Sequence, residues 1–307
     1  MKGRISFKAG AVQHIYQRTN HGFLIFYSVR DYLVFFTIIM TVARQHKVNI
    51  LGICFMVDHL HILVEVDSRE TLSSFVQHYA TWFSQEWNRH HGQCGSLFAR
   101  QFGFASKDNN KSIRSAIAYL FNNPVEKKLC ARPEQARWNF LAYSTCQSPF
   151  SEQIKKVSAR TAFRKALNRV DSAYRHGLPL GYTLIDRITE KLERQEHLQI
   201  TDYIITRYNA IDYQKTISYF GTYDRMITAV NTAKGSEYDI REVFSSGSDQ
   251  IYATMTSALL RRGVISNIDE LLKLPQEQRQ DCLNWLSMET GASFAKVAKY
   301  LHITLSS

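Results

Sequence analysis

The sequence predicts an α+β protein. An antiparallel, ferredoxin-like sheet with helices on one face occupies residues 1–150, and a mainly α-helical region follows over 151–307. Three observations carry this reading. Up to Phe150, apolar runs follow one another in the order strand, helix, strand, strand, helix and a further helix. From Gln153 onward strand signals fade and helical spacing dominates. The 307 residues, 45% hydrophobic and 21% charged, can bury one large core or two ordinary ones, which excludes a disordered chain.

The elements follow in order. Val12–Arg18 reads as a strand that ends in the polar turn Thr19-Asn20-His21-Gly22, and Phe23–Tyr27 extends it or pairs with it. Asp31–His46 carries apolar residues on helical spacing, with Asp31 as the predicted N-cap. Its core, Tyr32–Val42, is too short to span a bilayer. Val48–Val57 and Leu60–Val66 are strands joined with almost no turn at Asp58. Ser68 caps a long helix to Asn88, with Leu72, Phe75, Val76, Tyr79, Phe83 and Trp87 as its apolar stripe; a loop from His90 to Phe98 follows. Ser112–Phe121 is a shorter helix predicted to stop at Asn122-Asn123-Pro124, because the residue before proline avoids helical geometry. In the second half, Gln276–Thr290 and Ser293–Leu301 flank Gly291-Ala292 with the spacing of a helix-turn-helix or of a generic helical hairpin.

Charge and cysteine usage bound the function. The net charge is +11, and Met1–Val48 alone holds seven Lys or Arg against Asp31. Such a balance points to a polyanionic partner, nucleic acid above all, or serves solubility alone. Five cysteines without CxxC spacing read as reduced, mostly buried thiols rather than a disulfide frame or zinc site. The N-terminus lacks an apolar signal core, so the expected location is the cytoplasm.

The chemistry concentrates in two segments. In a strand alternate side chains share a face, so His59 and His61 point the same way and Leu60 the other. Two converging imidazoles are half of a divalent-metal site; the competing reading is a pair of core histidines. Tyr119 and Asn123 are four apart and share a helix face. If that face looks onto the strand, two imidazoles, an amide oxygen and a phenol meet. Such a set can hold a cation against a phosphate oxygen while a phenolate attacks in line. Mg²⁺ is the expected ion, with Mn²⁺ favoured by imidazole ligands. Asp58 either orients a histidine or closes the turn. Trp82 and Trp87 read as packing residues, and Tyr16, Tyr79 and Tyr143 as competing phenols without an amide four residues on in such a helix.

The run Met56-Val57-Asp58-His59-Leu60-His61-Ile62-Leu63-Val64 resembles the M-x-N/D-H-x-H signature of the single-tyrosine HUH transposases. Gln17-Arg18-Thr19-Asn20, Gly95-Ser96-Leu97-Phe98-Ala99-Arg100 and Tyr119-Leu120-Phe121-Asn122-Asn123-Pro124-Val125 are similar to the REP-associated tyrosine transposase branch. The similarity runs from Ala11 to Ser144, under half of the chain. The resemblance implies a metal-dependent nuclease and strand transferase on single-stranded DNA beside hairpins. Tyr119 would be the nucleophile and His59 and His61 the metal ligands. Asn123 would be a third ligand, where relatives often carry the longer glutamine. Arg18, Asn20, Arg100 and Lys107 would face DNA. The last helix pair resembles an appended helix-turn-helix, on which Lys296, Lys299 and Tyr300 would face DNA. A homodimer is compatible with the family. Rival expectations are an inactive hairpin-binding regulator and a rolling-circle initiator; the second is disfavoured because no G-x-x-x-x-G-K-[ST] motif occurs.

Overall fold

The computed structural model describes residues 7–99, 101–155, 157–232 and 250–305. Four strands, β1 (Val12–Arg18), β2 (Asn49–Phe55), β3 (His59–Glu65) and β4 (Gly103–Lys107), form one antiparallel sheet in the order β2-β3-β1-β4. This is the ferredoxin-like order, with α1 (Val29–Gln45) and α2 (Arg69–His91) packed together on one face. A third helix, α3 (Asn110–Glu126), crosses the opposite face.

Strand parity explains the two layers. Ile15, Ile53, Leu60, Ile62 and Val64 point toward α1 and α2, into a core with Phe35, Phe83 and Trp87. Their neighbours Val12, Cys54 and Leu63 point the other way and pack on Ile113, Ile117 and Leu120 of α3. A β-bulge between Ile50 and Gly52 shifts β2 by one residue. At Gly52 an added Cβ would lie 3.3 Å from Leu120, so glycine is what lets α3 settle on the sheet.

Several boundaries differ from the sequence expectation. Ser28, not Asp31, is the N-cap of α1; Asp31 sits in the first turn and its carboxylate accepts from the Ser28 backbone N–H, closing a capping box. The chain from Phe23 to Tyr27 forms no strand. Helix α2 runs through His90 and His91 to Gly92, whose φ of +65° ends it. Helix α3 continues past Pro124 to Glu126. Proline removes one intrahelical donor but falls in the last turn, where Asn123 O and Val125 O still accept from Lys127 N. Strand β4 is not evident in the sequence, being five residues with only Phe104 buried. Only Cys54 and Cys282 of the five cysteines are buried.

The second half is helical: α4 (Thr161–Arg175), α5 (Tyr182–Thr189), α6 (Arg194–Tyr208), α7 (Tyr213–Ser218), α8 (Tyr223–Thr232), α9 (Gln250–Arg261), α10 (Gln276–Thr290) and α11 (Phe294–Leu301). These helices wrap the sheet unit. Helix α6 packs on α1, and α8 packs on α3 through Met226 and Val230. Thr216 of α7 donates to the bulge carbonyl of Leu51 at 2.7 Å. Among the described residues no helix is long and apolar enough to cross a membrane.

Candidate active site

The face of the sheet beneath α3 collects the imidazoles. On β3, His59 and His61 share that face as strand parity requires, with ring centroids 5.2 Å apart and planes near perpendicular at 86°. Helix α3 brings Tyr119 over them: its ring lies 5.2 Å from that of His61, edge to face. Asn123, one turn further on, is also buried. All four residues belong to one chain.

The sequence reading missed a third imidazole. His14 on β1 lies 3.1 Å, Nε2 to Nδ1, from His61, and its ring is 6.0 Å from that of Tyr119. Its place follows from pairing rather than spacing. Tyr16 stands directly opposite His61, so His14 falls on the same face two residues along. A histidine between Gln13 and Ile15 in a strand of mixed polarity gives little signal by itself. Tyr16 shares this face too, its ring filling the space over Gly103. Of the other phenols, Tyr79 donates to Gln17 on the opposite face and Tyr143 to Asp202.

Asp58 takes both of the roles open to it. Its backbone carbonyl accepts from Thr19 N at 3.0 Å and closes the corner, while its carboxylate accepts from His59 Nδ1 at 2.6 Å. Burial opposes ionisation of Asp58, but the His59 hydrogen bond and charge outweigh it, with help from Lys299 and Lys127, so the carboxyl lies below its ordinary range. With Nδ1–H committed to Asp58, His59 Nε2 is left as the acceptor.

This arrangement fits a divalent cation. His59 Nε2 and both amide atoms of Asn123 are buried with no hydrogen-bond partner. In a protein interior such atoms carry a desolvation cost that a ligand would relieve. Among the described residues no three His, Cys, Asp or Glu side chains are grouped to hold a metal.

The other residues singled out from the sequence are dispersed. Arg18 is exposed and pairs across from His59. Asn20 is tied down: its amide donates to Ser96 O at 2.6 Å and its backbone N–H to Leu97 O, stapling that loop to the end of β1. Lys107 pairs with Val12, six residues along β1 from Arg18, roughly 20 Å from the His59 end. Arg100 lies outside the described residues. Lys296 and Lys299 are half-buried on α11. Tyr300 is buried, 1% exposed, and bonded to Thr256, so it does not face DNA; the apolar stripe of α11 points it inward. Trp87 is core, and Trp82 stacks on His78.

Over 52% of this chain and 95% of the other, the fold is similar to a solved structure described as a REP-associated tyrosine transposase bound to a REP hairpin, at 14% identity and a TM-score of 0.41. No curated protein matches the chain. Residues 14–123 match the model of the family described as "Transposase IS200 like". The segment that supplies His14, His59, His61, Tyr119 and Asn123 is thus the part of the chain that is similar to the IS200-like transposase family.

Proposed function

We propose that this domain cuts and rejoins single-stranded DNA beside hairpins, with Tyr119 as the nucleophile. The observation that carries the reading is the meeting of Tyr119 with His59 and His61 in one buried volume, where His59 Nε2 and the Asn123 amide lack partners.

On this reading His59, His61 and Asn123 hold Mg²⁺ or Mn²⁺, which when bound supplies Lewis-acid polarisation of the scissile phosphate. The protein's own groups do the rest. Asp58 holds His59 in the Nδ1–H form, and His14 holds the ring of His61. Tyr119 gives up its phenolic proton, its oxygen bonds to phosphorus, and the P–O3′ bond breaks. The departing 3′ oxygen takes a proton. The products are a 5′-phosphotyrosine and a free 3′-hydroxyl, and the retained ester bond lets joining proceed without a nucleotide cofactor. A cytoplasmic setting suits the free cysteines. The homodimer belongs to the same proposal, although one chain already holds every named site residue.

The test is incubation of the protein with end-labelled single-stranded hairpin DNA from its own locus, with Mg²⁺, Mn²⁺ or chelator. Cleavage that needs the ion and leaves a 3′-hydroxyl is expected. Tight hairpin binding without cleavage under any ion would favour the regulator instead.

A further inference from the structure

The last helix does not stand apart as a detached reader of duplex DNA. Its backbone is fastened to the segment that follows β1. Leu24 N donates to Lys299 O, Tyr27 OH donates to Tyr300 O at 2.6 Å, and His302 Nε2 bonds Leu24 O at 2.6 Å. His302 also stacks on Phe23 and Trp87, and Arg279 of α10 donates to the carbonyls of Leu301 and His302. These contacts fix α11 beside the corner that carries Asp58 and His59.

One side chain of α11 reaches that corner. The Cε and Nζ of Lys299 lie over Gly22, each 3.1 Å from where a Cβ would stand. Gly22 has a φ of +67°, so glycine serves both the turn and the approach of the lysine. Gly22 N bonds Thr19 O, and Thr19 N bonds Asp58 O, which links the lysine's perch to the histidine corner. Lys299 forms no ion pair among the described residues, and it is close enough to Asp58 to favour its carboxylate. Lys127 stands at the C-terminal end of α3, its backbone N–H bonded to Asn123 O, one turn past that site residue. Arg18, exposed across from His59, is a third cation from β1.

Lys299 of α11, Lys127 at the end of α3 and Arg18 of β1 thus come from three elements around the Asp58–His59 corner, where the Asp58 carboxylate is engaged by His59. We propose that α11 is a wall of the single-strand path, with Lys299 and Lys127 binding DNA backbone phosphates at the Asp58–His59 corner. This rests on the single-strand reading above and extends it to the C-terminal half. Phosphate, rather than base, is the recognised group because flexible ammonium groups act as point charges without base-edge selectivity.

The experiment measures salt-dependent binding of the full chain to a 20-mer thymidine strand and to a blunt 20-bp duplex, for wild type, Lys299→Gln, Lys127→Gln and Lys165→Gln. Lys165 is an exposed cation on α4 and serves as the control. Unchanged total tryptophan fluorescence and an unchanged urea midpoint in each variant verify that the fold, with Trp87 stacked on His302, is intact. The expected result is that Lys299→Gln and Lys127→Gln each lower the single-strand slope of log K against log salt by about 0.7 and weaken binding several-fold, with duplex binding and Lys165→Gln unchanged. An unchanged single-strand slope for Lys299→Gln, or a loss confined to duplex, overturns the proposal. If the slope falls but wild type never cleaves, the phosphate path stands and the nuclease reading fails. If wild type cleaves and the slope is unmoved, only the present inference fails.

Discussion

Replacing Asp31 by alanine should cost more stability than any ordinary helix-cap substitution. The carboxylate is fully buried and saturated. One oxygen accepts from Tyr182 OH at 2.6 Å and from His91 Nε2 at 3.1 Å. The other accepts from Tyr27 N, Ser28 N and Ser28 Oγ at 2.8 to 3.0 Å. Removing the acceptor strands buried donors from α2, α5 and the start of α1 together. Breaking a buried charged network of this kind costs roughly 3–5 kcal/mol, and the lost cap adds about 1 kcal/mol. Against a typical total of roughly 5–15 kcal/mol, much of the fold's margin goes. Asparagine should rescue only part of the loss: its oxygen can still accept from Tyr27 N and Ser28 N, but its NH₂ cannot accept from Tyr182 OH and His91 Nε2 as the carboxylate does, and the charge is gone. The pH dependence has a definite sign. Burial disfavours the carboxylate, but hydrogen bonds from His91 and Tyr182 outweigh it and hold the carboxyl below its ordinary value of 3.8. The stability from Asp31 is therefore full above about pH 4 and lost as pH falls through the lowered native value. Urea unfolding followed by tryptophan fluorescence reads this directly, since Trp87 packs on His91. A loss below about 1 kcal/mol for Asp31→Ala, or wild-type stability in Asp31→Asn, would refute the reasoning.

Three further outcomes follow from single contacts. Gly103→Ala places a Cβ 1.8 Å from the Tyr16 ring, so the ring must swing out at a cost of about 1–3 kcal/mol, measured by denaturation and relieved by adding Tyr16→Ala. Asp58→Ala frees the His59 ring and should weaken Mn²⁺ affinity about 10- to 100-fold by titration, with the fold intact; unchanged affinity would sink the orienting role. Burial lowers the imidazoles of His90 and His302 from 6.5 to about 4, so acid should destabilise the protein from pH 6.5 down to about pH 4, because the unfolded chain takes up the protons first. A urea midpoint that stays flat over that range would contradict it.

Much of the site was legible because its signals are local. The parity of His59 and His61 and the four-residue spacing of Tyr119 and Asn123 need only the strand and helix periods. What stayed hidden depends on partners distant in sequence. His14 joins the site only because β1 pairs with β3. The short strand β4 gains its meaning from β1, since its own residues barely alternate in burial. Pro124 misled because a breaker in the last helical turn removes little. Lys299 reads from the sequence as facing duplex or hairpin DNA, yet side-chain-to-backbone bonds between residues more than 270 apart, Tyr27 OH to Tyr300 O and His302 Nε2 to Leu24 O, hold its helix against the segment after β1.

The central claim is that Tyr119 becomes covalently joined to DNA. The most direct measurement digests the protein after reaction with single-stranded hairpin DNA and Mn²⁺, and locates the nucleotide-bearing peptide by mass. The account predicts a 5′-phosphate ester on the peptide containing Tyr119, absent with chelator and absent in Tyr119→Phe, whose fold is unchanged. An adduct on Tyr16 or another residue, or an adduct that persists in Tyr119→Phe, would contradict it.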